Sequence, residues 1–422
     1  MKTYDLVIIG SGPSGFSSSF TALKENLDVI ILEKEKLPRD KYCGGGVTPG
    51  SIKMLEKLGV KNEIEEDVER YVRGGAIVSP RGSIAVIEFK GEAWVVNRAL
   101  FDRKLIELSV SEGAELKEKW KATSIAFKPD HVEVMNNKGE KISARYLIDA
   151  SGTTNFTLNR IDKNEIYKRE FIHAWGDDSF SHGSKLIVKW WKRELGMVPL
   201  IFSVSGEWGY LWIFPKREAL NIGFGTLLTN SKLHVKKLNK GITLLRKVGL
   251  IPFNLNIKIK RSWLIPVSYK LKLVFPNYRT LLVGDAGGLT NPLTGEGIYG
   301  ALVSGMLAAR TVKGALDSDN SLNLKKYENE LYDLIGEDYF EYGIKLAKAF
   351  YSSPKVEELA IRAAMSDERL MRLIIEYLLH VRKGVGKQVY EYIKKNLPKL
   401  AYKSLLIGKK VKLSLDGAPA GI

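Results

Sequence analysis

The sequence predicts an α/β protein: a Rossmann-like nucleotide-binding domain, an inserted antiparallel β-sheet, and a helical C-terminal region. Three observations predict it. The apolar run at residues 4–9 passes directly into Gly10-Ser11-Gly12-Pro13-Ser14-Gly15 and a helix-compatible stretch, the strand, glycine turn and helix order of a dinucleotide site. A second strand, at residues 279–283, meets Gly284-Asp285 and later opens another helix. Between them, strand-sized runs at 185–191, 199–205, 209–214 and 220–225 predict the inserted sheet.

In the first unit, the glycines permit a tight turn and let a pyrophosphate approach the helix N-terminus, where unpaired N–H groups favour anionic oxygens. Gly10, Gly12, Pro13, Ser14 and Gly15 are therefore candidate cofactor contacts. The next apolar run ends at Glu33, where an acid accepts hydrogen bonds from an adenosine ribose, with Lys34 beside it. FAD and NAD share this fingerprint, so the first unit alone does not choose between them.

The chain has 422 residues, 45% hydrophobic and 27% charged, which excludes a disordered or fibrous protein. No apolar run approaches the roughly 18 to 20 residues of a bilayer span, and the first residues lack signal-peptide order, so a cytoplasmic protein is expected. Cys43 is the single cysteine, which rules out an intramolecular disulfide, and the five histidines have no metal-ligand spacing; no metal is expected. The net charge of +17 calls for an anionic partner. From His380 to Lys412 ten Lys or Arg face one acid, Glu391, interleaved with apolar residues such as Ile393, Leu397 and Tyr402. No nucleic-acid signature accompanies them. The pattern predicts either a surface resting on anionic lipid headgroups or the solvated face of ordinary helices.

The late unit, Gly284-Asp285-Ala286-Gly287-Gly288 followed by Asn291-Pro292-Leu293-Thr294-Gly295-Glu296-Gly297-Ile298, resembles the second flavin motif of FAD-dependent oxidoreductases with the glutathione-reductase or hydroxylase type of domain. The resemblance implies FAD, with Gly284 and Asp285 at the ribityl chain and Gly295, Gly297 and Ile298 at the flavin's pyrimidine edge. A helix N-terminus there would stabilise the anionic reduced ring. It also implies that Arg98, opening a helix after Asn97, contacts phosphate or ribose, and that Ala122 neighbours the adenine. No second fingerprint for a nicotinamide domain is found in mid-chain. An NAD(P)H or ferredoxin-like electron donor would dock transiently.

Lys41-Tyr42-Cys43-Gly44-Gly45-Gly46 and Tyr210-Leu211-Trp212-Ile213-Phe214-Pro215 resemble the cysteine-glycine loop and the YxWxFP signature of the geranylgeranyl reductase family, flavoproteins that saturate isoprenoid chains. Glu207 stands where archaeal lipid-chain reductases often carry proline. The resemblance implies a prenylated lipid or quinone substrate, a Cys43, Gly44 and Gly45 loop over the flavin, and a protein peripheral to the cytosolic face of the membrane. Tyr210, Trp212 and Phe214 alternate along a strand and would build one aromatic wall, which binds a prenyl tail and offers π-faces to a transient cation. Ordinary thiols are mostly protonated at neutral pH, so Cys43 is a candidate proton donor; Tyr210 is the alternative. Expected boundaries are 1–70, 95–160 and 275–320 for the FAD domain, 70–95 and 160–275 for the substrate sheet, and 320–422 for the helical region. Two rivals share the fold: a flavin monooxygenase or halogenase, because Trp212 and Pro215 match part of a WxWxIP pattern, and a non-enzymatic prenyl-binding protein.

Overall fold

The continuous apolar run near the N-terminus forms the strand Thr3–Ile9, buried from Leu6 to Ile9 as an interior parallel strand requires. The computed structural model describes residues 2–162, 170–180, 182–204, 209–229, 234–255, 257, 259–267 and 272–415. Glu207, and Ser205 at the end of one predicted strand, lie outside them.

Thr3–Ile9 pairs in parallel with Val29–Leu32 on one side and Lys141–Asp149 on the other. Glu115–Lys117 and Thr280–Leu282 extend the sheet at either side, also in parallel. Because all five run the same way, their carboxyl ends bring Gly10, Glu33, Ala150 and Gly284 to one edge, the place where open α/β sheets bind ligands. The helices Pro13–Lys24, Arg98–Ser111 and Ile298–Asp317 contribute to the core on one face. The first is rich in buried serine, and the last brings Gly305 so near that a Cβ there would lie 2.5 Å from the Ser14 carbonyl. Ser17 Oγ closes the crossing by donating to Leu302 O at 2.6 Å.

The second sheet has the order Arg261–Val267, Glu170–Phe180, Ala219–Leu227, Gly209–Pro215, Leu200–Val204, Val68–Val78, Ile84–Val96 and Lys410–Leu415. Its faces separate by period two. Leu211 and Ile213 pack into an outer core with the helices His182–Leu195 and His234–Lys247, while Tyr210, Trp212 and Phe214 face inward. Gly46–Val47 pairs with Ile84–Val96, which ties the Cys43 loop to this sheet.

The run at 185–191, expected as a strand, is part of the helix His182–Leu195. Ile187, Trp191 and Leu195, spaced by four, are buried, so the helical period outweighs the β-branched and aromatic content that suggested a strand. Downstream helices break at Ser352-Ser353-Pro354, where Ser353 Oγ accepts from Val356 N at 3.3 Å to cap Pro354–Met365. The region expected to be helical to its end instead closes with the strand Lys410–Leu415, paired in parallel with Ile84–Phe89. Its KVKLSL alternation, with Val411 and Leu413 against the core, is a strand signal hidden inside a basic tail. Tyr377, Val389 and Leu400 are core residues, whereas Leu397 and Tyr402 are exposed, so the basic stretch is not one uniform amphipathic face. No helix among the described residues is long and apolar enough to cross a membrane.

The C-terminal helices are anchored through one buried carboxylate. Asp338 accepts from Gly384 N at 2.8 Å and Gly386 N at 2.6 Å, at the start of Val385–Leu406. Asp338→Ala leaves both donors without that acceptor and should destabilise the protein by about 2–4 kcal/mol; an unchanged urea midpoint would show that the anchor carries no stability.

Candidate active site

The two glycine turns and the aromatic wall enclose a continuous cavity of about 1340 Å³. That exceeds the roughly 300–1,000 Å³ of a single-ligand pocket. Of the residues singled out from sequence, Gly10, Gly12, Pro13, Ser14, Glu33, Lys34, Cys43, Gly44, Gly45, Arg98, Ala122, Tyr210, Trp212, Phe214, Asp285, Gly295, Gly297 and Ile298 all line it. Gly15 and Gly284 stand behind the wall and set its shape. A Cβ on Gly15 would lie 2.0 Å from Gly10 O, and one on Gly284, at φ +52°, would lie 2.7 Å from Ser14 Oγ.

At the first turn, Gly12 precedes the helix Pro13–Lys24 without a side-chain cap, and the nearest atom to a Cβ on it is an Arg39 nitrogen at 3.6 Å. Space and helix N-terminus therefore coincide. Glu33 is buried, with Oε2 accepting from Ser11 N at 3.2 Å and Oε1 from Glu35 N at 2.9 Å. Arg98 donates to Asp102 from Nε and Nη2, at 2.9 and 3.2 Å, and also reaches Cys43. Arg39 joins the group, 3.1 Å from Asp102 and 3.5 Å from Glu33. Burial opposes the charge on Asp102, but Arg98 and Arg39 more than offset it and hold the carboxyl below its ordinary range. Burial, and then the neighbouring Arg98, push the Lys41 ammonium below its ordinary range.

At the second turn, side chains from the second sheet and the C-terminal helical region converge on the loop from Asn291 to Glu296. Asn291 Oδ1 accepts from Leu293 N and Thr294 N at 2.9 and 3.2 Å, and its Nδ2 donates to Tyr377 Oη at 3.1 Å. Tyr351 donates to Leu293 O at 2.9 Å, and Tyr210 donates to Thr294 O. Glu296 Oε1 accepts from Tyr299 N at 2.8 Å; its Oε2 lies 3.0 Å from His380 Nε2, whose ring stacks on Tyr299 at 4.8 Å.

The aromatic wall is fitted to glycine on both sides. A Cβ on Gly44 would meet Phe214 at 2.8 Å, and one on Gly223 would meet the Trp212 ring at 2.1 Å. Trp212 Nε1 donates to Asn221 Oδ1 at 2.8 Å, Asn221 donates to Asp178 at 2.8 Å, and Lys216 pairs with Asp178 at 2.9 Å. Phe202 packs edge-on against both Tyr210 and Phe214, with centroids at 5.6 and 5.4 Å. The Cys43 thiol accepts from Gly45 N at 3.4 Å.

A family described as an FAD binding domain matches residues 3–188. The digeranylgeranylglycerophospholipid reductase 2 of Methanopyrus kandleri is 26% identical over 398 residues, 88% of this chain and 92% of its own. This chain is an FAD-dependent oxidoreductase similar to the geranylgeranyl reductases. Among solved structures, a geranylgeranyl bacteriochlorophyll reductase-like protein of Thermoplasma acidophilum superposes with a TM-score of 0.73 at 22% identity, covering 96% of this chain and 98% of its own. The halogenase PltM superposes at 0.71 with 17% identity, covering 96% and 94%. These two likenesses show the fold.

The residues of this oxidoreductase fit FAD. The open space over Gly12, the buried Glu33 and the cations Arg39, Lys41 and Arg98 suit a ribose and pyrophosphate. Asp285, with Thr290 Oγ1 donating to it at 3.4 Å, and the Gly295–Ile298 turn suit the ribityl chain and ring edge. Sequence reasoning missed Arg39, Lys41, Tyr42, Asp102, Glu296 and His380. Asp102 had a signal, because it stands four residues after Arg98 on the same helix. His380 had none, since only the tertiary fold brings it to Glu296.

Two substitutions separate cofactor from wall. Asp285→Ala should lower FAD retention about tenfold, because a buried hydroxyl loses its acceptor; unchanged flavin content after gel filtration would remove Asp285 from the site. Gly223→Ala should displace Trp212 while FAD stays bound, and an unaltered tryptophan emission spectrum would contradict that packing.

Proposed function

We propose that this reductase saturates carbon–carbon double bonds in geranylgeranyl or other prenyl chains of membrane lipids or quinones. The observation that carries the reading is the extension of the cavity. Beyond Tyr210 and Phe214 it continues along Ile77, Ala85, Ile87 and Val204 of the second sheet and Leu346, Met371 and Ile374 of the C-terminal helices. No charged side chain lines this part among the described residues. A long unfunctionalised hydrocarbon matches such a chamber, and the relative's name, a reductase of a digeranylgeranyl phospholipid, supports the same substrate class.

Bound FAD supplies the hydride. An isolated trisubstituted alkene has no carbonyl to polarise it, so a proton must arrive with or before the hydride, and positive charge develops on the more substituted carbon. The chain's residues answer both needs. Cys43, in the loop against Phe214 and Trp212, is the proton donor; the faces of Tyr210, Trp212 and Phe214 shelter the developing cation and exclude water. Tyr210 is the weaker acid candidate. Its hydroxyl proton is engaged by Thr294 O, and burial, then the nearby Cys43 and Glu296, push its pKa up. We assign it the positioning of the flavin-edge loop. Electrons come from a transiently docked NAD(P)H or ferredoxin-like donor, and the protein works from the cytosolic membrane surface.

The test is anaerobic. Dithionite-reduced protein is mixed separately with geranylgeranylated lipid and with prenylquinone while flavin absorbance and product mass are followed. Reoxidation with a gain of two hydrogens per reduced bond is expected, and the faster substrate identifies the head group. Oxygen-dependent hydroxylation or halogenation without alkene reduction would overturn the reading. Cys43→Ser should slow single-turnover reduction roughly a hundredfold at unchanged FAD content, and Tyr210→Phe should slow it less; a fully active serine variant would reject the thiol as donor.

A further inference from the structure

Where the apolar chamber reaches the surface, several residues both line it and are exposed, among them Val356 and Leu359 of the helix Pro354–Met365, at 37% and 43%, and Leu397 of Val385–Leu406, at 58%, with Ala401 one turn on. They mark a mouth between these two helices. Beside it, Tyr402, Leu405 and Leu406 are exposed at 65%, 71% and 68%, more apolar surface than a solvated helix end needs. Lys394, Lys395 and Lys399 stand exposed on the same helix and form no ion pair among the described residues. The long helix thus presents apolar and cationic groups together where the chamber opens between these helices.

We infer that this face, the mouth between Pro354–Met365 and Val385–Leu406 with its lysine rim, docks on an anionic lipid bilayer, so that a prenyl chain passes from the membrane into the chamber without crossing water. The inference rests on the proposed prenyl substrate and adds the place and chemistry of docking. Apolar side chains enter the acyl boundary while lysines meet anionic headgroups. A second exposed apolar group, Leu186, Val235 and Phe253, lies on the outer side of the second sheet. Those residues line no part of the cavity, so the same logic gives them no role in docking.

The experiment uses the full FAD-loaded chain and flotation with vesicles of phosphatidylcholine alone or with one third phosphatidylglycerol. Binding to the anionic vesicles is expected, weakening with salt. The triple variant Lys394→Glu, Lys395→Glu, Lys399→Glu and the double variant Leu405→Asp, Leu406→Asp should each bind about tenfold more weakly or worse, with flavin content and urea midpoint unchanged, while Phe253→Asp binds as the parent. Absence of vesicle binding by the parent, parent-like binding by both docking variants, or loss of binding in Phe253→Asp alone would overturn the inference. Reduction of a detergent-dispersed prenyl alkene separates the two claims. Docking variants that keep this rate but lose it on vesicles support the docking face; a parent that floats yet reduces no prenyl alkene overturns the proposed activity and leaves the docking face standing.

Discussion

Three tyrosine hydroxyls and one histidine, drawn from the second sheet and the C-terminal helices, close on the short loop between Asn291 and Glu296. That grip sets the distance between the nucleotide-binding half and the aromatic wall. Asn291 forms the loop from within, while Tyr210, Tyr351 and Tyr377 hold it from outside. Each hydroxyl is buried, and a buried hydroxyl without a partner costs more than its hydrogen bond returns. The loop therefore has few alternative positions. Since it carries Gly295 and Gly297 at the head of Ile298–Asp317, a small displacement of either sheet would misplace the helix N-terminus relative to the wall.

The nucleotide half was legible because its chemistry is backbone chemistry. Gly10, Gly15 and Gly284 are dictated by close approaches that no Cβ can enter, and such constraints stand in the sequence as glycines at fixed spacing. The wall was legible as alternation, and Gly223 opposite Trp212 explains why the following strand needed glycine. What sequence could not give was partnership at a distance. Arg39 completes a network with Glu33 and Asp102, and His380 meets Glu296, only because separate elements converge. The misread stretch at 185–191 has a different origin: Trp190, Trp191 and the β-branched residues before them suit a strand locally, and only burial every fourth residue reveals the helix.

The second sheet serves two cores at once, and this explains the mixed character of its strands. Its outer face is an ordinary hydrophobic core under two amphipathic helices. Its inner face has aromatic residues near the flavin loop and small aliphatic ones, such as Ala85 and Val204, farther along. Small side chains leave the chamber open where the C-terminal helices cross it. Closing the sheet with Lys410–Leu415 fixes those helices from the far side, because the strand follows directly from the end of the long helix. Arg362 reinforces the junction by donating to Ser404 O at 2.7 Å and Ile407 O at 2.5 Å.

The distribution of charge along the cavity distinguishes the chemistries that share this fold. Among the described residues its charged lining belongs to the nucleotide end, including Glu33, Lys34, Arg39, Lys41 and Arg98, or to the flavin loop, with Asp285 and Glu296. Among the described residues the chamber beyond offers no cation to a hydrated anion, and its Tyr351 and Tyr377 hydroxyls already donate to backbone carbonyls, so a halide entering that way would lose its hydration with little compensation. A hydrocarbon loses nothing on the same route and gains by leaving water. At the inner end the wall presents aromatic faces, while Arg39 and Arg98 of the nucleotide end are held in ion pairs with Asp102 and Glu33. Such pairing weakens, at the wall, the field of the cations needed for a pyrophosphate, even though Arg98 reaches the Cys43 loop beside it.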